Sequence, residues 1–194
     1  MDVLISLSAL AIATPILLGI ALMIHLRGQK PVVFRQPRPG RDGHPFTIYK
    51  FRTMTDETSG QGRALEDSKR LTRLGRALRR WSFDELPELW NVAKGDMSLV
   101  GPRPLLMEYL DLYTDEQARR HAMRPGLTGL AQVSGRNDIS WDERLALDVW
   151  YVDNWSLWLD FKILARTVGK VLSGTGVSAE DNATMPRFEG SNDE

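Results

Sequence analysis

At 194 residues and 21.9 kDa the chain is long enough for one ordinary domain with appendages and too short for two large ones. Its 25 Lys and Arg balance 25 Asp and Glu, so no global charge of the kind that draws a whole protein onto nucleic acid is present. Cysteine is absent, which excludes a disulfide framework, a Cys-ligated metal site and a thiolate nucleophile.

The chain opens on a membrane segment. From Val3 to Leu26 there is no Asp, Glu, Lys or Arg, and as one helix this run is about 36 Å long, enough to cross a bilayer. Ala11-Ile12-Ala13 has the small residues of a signal-peptidase site, but no basic region precedes it and the apolar run continues past it. Pro15 sits near the middle, where its ring meets the carbonyl of Ala11 and a backbone donor is lost, so a kink or a break is expected, with Thr14 placed to satisfy freed carbonyls. A kinked spanning helix and a hairpin that enters and leaves by one face are both compatible with the residues. Arg27, Lys30, Arg35, Arg38 and Arg41 follow, opposed only by Asp42, which places the rest of the chain in the cytoplasm and reads as anchoring to anionic headgroups.

Residues 27–177 read as one compact domain, and 178–194 as an acidic tail, extended or partly disordered. Pro45 to Thr53 is β-rich and predicts a strand. Lys69 to Trp81 predicts a basic amphipathic helix, with Leu71, Leu74, Leu78 and Trp81 on one face, suited either to packing or to a membrane surface. Ser82-Phe83-Asp84-Glu85 can be read as a capping box, or Asp84 as an N-cap with Pro87 in the first turn. Both registers place the paired carboxylates at a helix N-terminus, where the dipole favours their ionised forms. Four of the six Trp lie between Trp141 and Trp158, leading into the amphipathic run Leu157 to Val168; such rings suit headgroup level, with one or two expected in the core.

Three rigid or Gly-rich stretches deliver cations and polar groups: Gly101-Pro102-Arg103-Pro104, Arg124-Pro125-Gly126-Leu127-Thr128-Gly129 and Gln132-Val133-Ser134-Gly135-Arg136-Asn137. With Lys50, Arg52, Arg79 and the acidic pair Asp84-Glu85 they form a set that a diphosphate and its metal would need. Surface charge remains the plainer explanation on composition alone.

Phe51-Arg52-Thr53-Met54, Asp84 to Val92, Lys94 to Pro104, and Arg124 to Asn137 together resemble the bacterial sugar transferases, the small monotopic phosphoglycosyl transferases. The likeness covers nearly the whole chain in order, and its brevity and tail, Gly176 to Phe188, look most like the PglC-type group that initiates bacterial N-linked glycan assembly. The resemblance implies an α+β, mainly helical monotopic membrane protein: a re-entrant helix over 1–26 broken at Pro15, a catalytic domain with interfacial amphipathic helices, and attachment to the cytoplasmic leaflet of the bacterial inner membrane. It implies transfer of a sugar 1-phosphate from a UDP-sugar to undecaprenyl phosphate, releasing UMP and feeding downstream glycosyltransferases. Asp84 matches the nucleophile that forms a covalent phosphosugar-aspartate and Glu85 its partner, with Mg²⁺ held at the pair. Lys50, Arg79, Arg103 and Arg136 match charged positions suited to the phosphates, and Asp160 matches a family acid of less defined role. The tail suggests an N-acetylated hexosamine or di-N-acetylbacillosamine donor. Galactose or glucose phosphate transferases for capsule or exopolysaccharide share every motif, and a hydrolase or a non-catalytic assembly protein are the rival classes. Family members usually carry a Lys-Arg pair three residues before the aspartate that Asp2 matches, so the natural start is expected upstream of this one.

Overall fold

The computed structural model describes residues 1–55, 70–135, 139–173 and 187–190. Helix α1 (Asp2–Leu26) is long and apolar enough to cross a membrane, with most of its surface uncovered. Pro15 lies inside α1 and does not interrupt it. The loss of one donor is absorbed by the bonds on either side, and the Thr14 hydroxyl donates to the Leu10 carbonyl at 2.8 Å rather than to that of Ala11. The two separate half-helices allowed by the sequence are therefore one helix.

Both ends of α1 touch the same folded body. Near its C-terminus Ile20 and Ile24 pack with Phe51 and Leu78 in one buried cluster. At its N-terminus the Ser98 hydroxyl donates to Asp2 Oδ2 at 2.5 Å. Its main helical neighbour is the short helix over Glu88–Lys94.

The strand predicted over 45–53 is β2 (Pro45–Phe51), paired antiparallel with β1 (Val33–Pro39), a strand against which Pro37 and Pro39 argue at the level of sequence. A two-stranded ribbon has an open edge on each strand, where a residue lacking a donor is tolerated. Helix α2 (Arg73–Arg80) begins later than expected: Thr72 caps it by accepting from the Gly75 amide, and Leu71 instead bridges to Met54 in extended backbone. Gly75 lets α2 approach closely, since a Cβ there would stand 2.1 Å from the Thr53 carbonyl oxygen. Leu78 is buried, while Trp81 at the end of the stripe stays exposed.

Neither capping register over 82–87 is adopted. Ser82 takes a left-handed conformation (φ 54°) and bonds no orphan amide, Phe83–Glu85 form a single 3-10 turn, and α3 (Glu88–Lys94) starts after Pro87. The left-handed residue turns the chain sharply away from α2, which a Cβ-bearing residue accepts only at some cost.

Strand β3 (Ser98–Val100) pairs in parallel with β4 (Gly126–Thr128), bringing two of the Gly-Pro-Arg stretches side by side. Gly126 donates to the Pro102 carbonyl and Gly101 to that of Thr128, both at 2.9 Å. A Cβ on Gly126 would lie 2.1 Å from the Gly101 nitrogen, so the glycines exist for backbone contact.

The further helices among the described residues are α4 (Asp115–Ala118), α5 (Leu130–Ser134), α6 (Trp141–Asp153) and α7 (Leu157–Ser173), with 3-10 segments at Arg41–Gly43, Met107–Leu112 and Arg119–Ala122. The main core joins Val100, Leu130, Val133, Tyr151 and Ile163. Of the clustered tryptophans, Trp150, Trp155 and Trp158 are exposed, whereas Trp141 packs edge-on against Tyr109.

Residues 187–190, near the C-terminus, pack on the body. Phe188 is buried against Leu105, Tyr109 and Leu145, stacks on Tyr113 and receives a tilted contact from Trp141, while its amide donates to the Tyr109 hydroxyl at 3.3 Å. Of the tail expected to be extended or partly disordered, residues 187–190 are docked in this way and the rest lies outside the described residues. Truncating Phe188 removes the whole ring from a closed cluster, so Phe188→Ala is expected to lower stability by about 3 kcal/mol, read as a depressed midpoint in thermal unfolding.

Candidate active site

Two segments distant in sequence converge on Glu85. Lys50, near the end of β2, donates from Nζ to Glu85 Oε1 at 2.9 Å. Arg103, carried by the loop after β3, bonds both carboxylate oxygens of Glu85, with Nη1 to Oε2 at 3.5 Å and Nη2 to Oε1. Burial alone would raise the Glu85 pKa, but the adjacent Arg103 and Lys50 outweigh it and hold the carboxylate far below its usual range. Arg103 is correspondingly raised by Glu85 against the opposing effect of burial.

Asp84 has a different environment. It is buried, and among the described residues no hydrogen bond or ion pair reaches its carboxylate. Burial first and the neighbouring Glu85 charge second push its pKa up to about 6, against the pull of Lys50, Arg79 and Arg103. The favourable dipole expected for both carboxylates is absent, because a single 3-10 turn has little aligned backbone and burial dominates. Adjacent in sequence, the two acids are thereby driven apart: Glu85 is neutralised by cations, Asp84 remains uncommitted.

Arg79, in the last turn of α2, donates from Nε to Thr53 Oγ1 at 3.2 Å and is close enough to Asp84 to act on its charge. Thr53 follows the β2 strand, so α2 and β2 set Arg79 together. Arg136 lies outside the described residues. Asp160 is bonded elsewhere: its Oδ1 accepts from the Tyr151 hydroxyl at 2.7 Å and its Oδ2 from Trp155 Nε1 at 3.1 Å, joining α7 to the end of α6. It is not among the charges acting on Asp84, Glu85, Lys50 or Arg103. Pro15 lies in α1, away from these contacts.

Sequence reasoning gives no role to Glu88 or Asn91. Glu88 is fully buried, with Oε1 2.9 Å from Lys50 Nζ as an ion pair outside hydrogen-bonding geometry. Burial, then repulsion from Glu85, lift its pKa to about 7 in spite of Lys50. Lys50 itself is raised, since Glu85 and Glu88 together overcome its burial. Asn91, also fully buried, donates to the Thr47 carbonyl at 2.7 Å and accepts from the Tyr49 amide at 3.2 Å, completing the backbone bonding of β2. That clamp fixes α3 on β2 and so fixes Glu88 and the 3-10 turn against Lys50. The signal available is spacing: Asp84, Glu88 and Asn91 recur at four and three residues, a helical face.

Asp84 and Glu85 offer adjacent hard oxygen donors, and Mg²⁺ is commonly bound by one or two carboxylates plus substrate phosphates, so the donor set fits that ion. Among the described residues no group of three or more acids, histidines or cysteines is placed to hold a metal ion, so any such ion would take its remaining ligands from substrate or water.

A sequence model of the bacterial sugar transferase family matches residues 1–174. The chain is 54% identical over 192 residues to the uncharacterized sugar transferase EpsL of Bacillus subtilis, covering 99% of this chain and 95% of that protein. It is 45% identical to the UDP-glucose:undecaprenyl-phosphate glucose-1-phosphate transferase of Caulobacter vibrioides, covering 89% of this chain and 68% of that one. The undecaprenyl-phosphate galactose phosphotransferase of Salmonella typhimurium is 40% identical over 90% of this chain, which spans only 40% of the Salmonella protein.

The sign of the Glu88 shift gives a testable outcome. A carboxyl whose folded pKa is raised from 4.5 to about 7 favours folding when protonated; that contribution is complete below about pH 4.5 and lost as pH rises through about 7. With Mg²⁺ chelated, Glu88→Gln should therefore gain stability relative to wild type between pH 5 and pH 8, by up to about 3 kcal/mol, read from thermal midpoints at the two pH values.

Proposed function

The chain belongs to the bacterial sugar transferase family, and we propose that it moves a sugar 1-phosphate from a UDP-sugar to undecaprenyl phosphate, releasing UMP. The observation that carries this reading is the Asp84 carboxylate, buried, uncommitted among the described residues, and flanked by Lys50, Arg79 and Arg103. A general base or a structural acid would be expected to hold a partner. A nucleophile must stay free to approach an anionic phosphorus, and needs cations beside it to offset the charge.

In the first step an Asp84 oxygen attacks the sugar-bearing phosphorus, the bond to the bridging oxygen breaks, and UMP departs with that oxygen. The phosphosugar is left on Asp84 as an acyl phosphate. In the second step an oxygen of undecaprenyl phosphate attacks the same phosphorus and the aspartyl oxygen leaves, giving the polyprenol diphosphate sugar and free Asp84. Arg103 and Lys50, locked by Glu85, present fixed positive charge through both steps with little reorganisation. Mg²⁺ held by Asp84 and Glu85 would neutralise diphosphate charge. Asp84 is reactive as its anion, which its pKa near 6 makes the majority form at pH 7.

The protein is further proposed to be monotopic on the cytoplasmic face of the bacterial inner membrane. The contacts of Asp2 with Ser98 and of Ile24 with Phe51 and Leu78 support this, because a helix crossing the bilayer would carry one end away from the body. Exposed Trp81 and Phe83 flank the turn that carries Asp84, and Trp90, Trp150 and Trp158 are also exposed, the amphipathic rings that favour headgroup level. A nucleophile bordered by such residues suits an acceptor whose phosphate lies at the membrane surface. The donor sugar is a hexose or an N-acetylhexosamine: relatives are named for galactose, glucose and N-acetylgalactosamine, and the tail's resemblance favours an N-acetylated one. Product would pass to glycosyltransferases that extend it.

Nanodisc-embedded protein with Mg²⁺ should release UMP from at least one of UDP-galactose, UDP-glucose, UDP-N-acetylgalactosamine and UDP-di-N-acetylbacillosamine, and multiple turnovers should require undecaprenyl phosphate. Asp84→Asn should lower that rate by at least about 10³-fold. Sustained release without the lipid would instead identify a hydrolase, and no release from any donor a non-catalytic protein. Because the chain has no cysteine, single cysteines placed at Val3 and Gln29 report topology directly. Both are expected to react with a membrane-impermeant maleimide only from the cytoplasmic side; labelling of the two from opposite sides would establish a spanning helix.

A further inference from the structure

Arg38 is one of the basic residues following the membrane segment, and its sequence context suggests a headgroup anchor. Its place in the fold is different. It sits at the end of β1, opposite Phe46, and is partly buried. Nη2 donates to the neutral Gln36 Oε1 at 2.7 Å, while Nε is buried and bonded to nothing among the described residues. The charges facing it are Arg103, which repels it, and Glu88, which attracts it, with the Tyr109 and Tyr113 hydroxyls beyond.

The cations around the Asp84, Glu85 and Glu88 carboxylates, Arg38 facing Glu88 and the others facing Asp84, divide into two kinds. Lys50 and Arg103 are committed to Glu85, with Lys50 also 2.9 Å from Glu88. Arg79 and Arg38 have no carboxylate partner among the described residues; each holds only a neutral side-chain oxygen, on Thr53 and Gln36. Burying a guanidinium beside another without a carboxylate bonded to it is unfavourable in the free protein, and burial followed by Arg103 lowers the Arg38 pKa to about 10. A bound phosphoryl group would relieve that repulsion and supply the acceptors that the guanidinium fork lacks.

We infer that Arg38 is a phosphate-binding residue of this site, contributed by β1, that takes an oxygen of the donor diphosphate or of the acceptor phosphate. The inference rests on the reading of the site as one for phosphoryl transfer, and its test is independent of turnover. In nanodiscs with Mg²⁺, binding of inorganic pyrophosphate, which stands for the donor, and of dimethylallyl phosphate, a soluble prenyl monophosphate that stands for the acceptor, is measured by titration calorimetry. Arg38→Gln, which preserves a polar contact to Gln36, is expected to weaken one of the two by about tenfold or more. Weaker pyrophosphate binding assigns Arg38 to the donor, and weaker dimethylallyl phosphate binding to the acceptor. Arg38→Lys, which keeps charge and loses the fork, should fall between wild type and Arg38→Gln, and it carries the test if the glutamine variant does not fold. Affinities for both probes within twofold of wild type in a folded variant, or no binding of either probe to wild type at millimolar concentration, overturn the inference. UMP release by wild type, measured separately, reports on the transferase reading alone.

Discussion

The clasp of Lys50 and Arg103 on Glu85 is the constraint around which the rest of the protein is arranged. It ties a ribbon strand, a 3-10 turn and a glycine-rich loop into one rigid point, although Lys50 and Arg103 lie 35 and 18 residues from Glu85 along the chain. Because Glu85 absorbs two cations, its sequence neighbour is left as a carboxylate that is buried but not neutralised. Two acids with the same chemistry thus acquire different roles from environment alone. Everything around the clasp serves to keep its members in place: Asn91 locks α3 to β2, Gly75 lets α2 close on Thr53, and the paired glycines of β3 and β4 fix the loop that carries Arg103.

Much of this is legible in the amino-acid sequence. The apolar first helix, the strand over 45–53, the helix ending near Trp81 and the carboxylate pair all follow from periodicity, composition or motif. What is not legible has physical reasons. The strand β1 is hidden by two prolines, which an edge position tolerates. The capping registers over 82–87 fail because a left-handed Ser82 and a short turn replace a helix start, which local propensity does not reveal. Glu88 escapes notice because a carboxylate in the first turn of a helix reads as an ordinary surface residue, and only tertiary packing turns it into a buried partner of Lys50. Arg38 is hidden in the same way, among cations that share a headgroup explanation.

The arrangement also combines a large uncovered apolar surface with a cluster of buried charge. Helix α1 leaves most of its apolar surface uncovered, yet its two ends are anchored to the body by one hydrogen bond and one hydrophobic cluster. Trp81, Phe83, Trp150, Trp155 and Trp158 add further exposed rings. Most of the buried ionic groups are paired with one another, as Lys50 and Arg103 are with Glu85 and Arg120 is with Asp148. Low-dielectric surroundings strengthen each such pair and make each unpaired charge costly, so the few uncommitted groups stand out chemically.

The docking of Phe188 has a consequence for the order in which the molecule is built. Leu105, against which the ring packs, is two residues from Arg103, and Tyr113, on which it stacks, lies beneath the Arg120 guanidinium that donates to the Arg103 carbonyl at 2.7 Å. The support for the loop bearing Arg103 is thus furnished partly by a residue that leaves the ribosome well after the loop itself. A nascent chain can lay down its apolar first helix and its ribbon early, while the loop bearing Arg103 still lacks its final wedge. Synthesis direction and packing run in the same sense: the packing beneath the loop bearing Arg103 closes only once the chain has grown past Phe188.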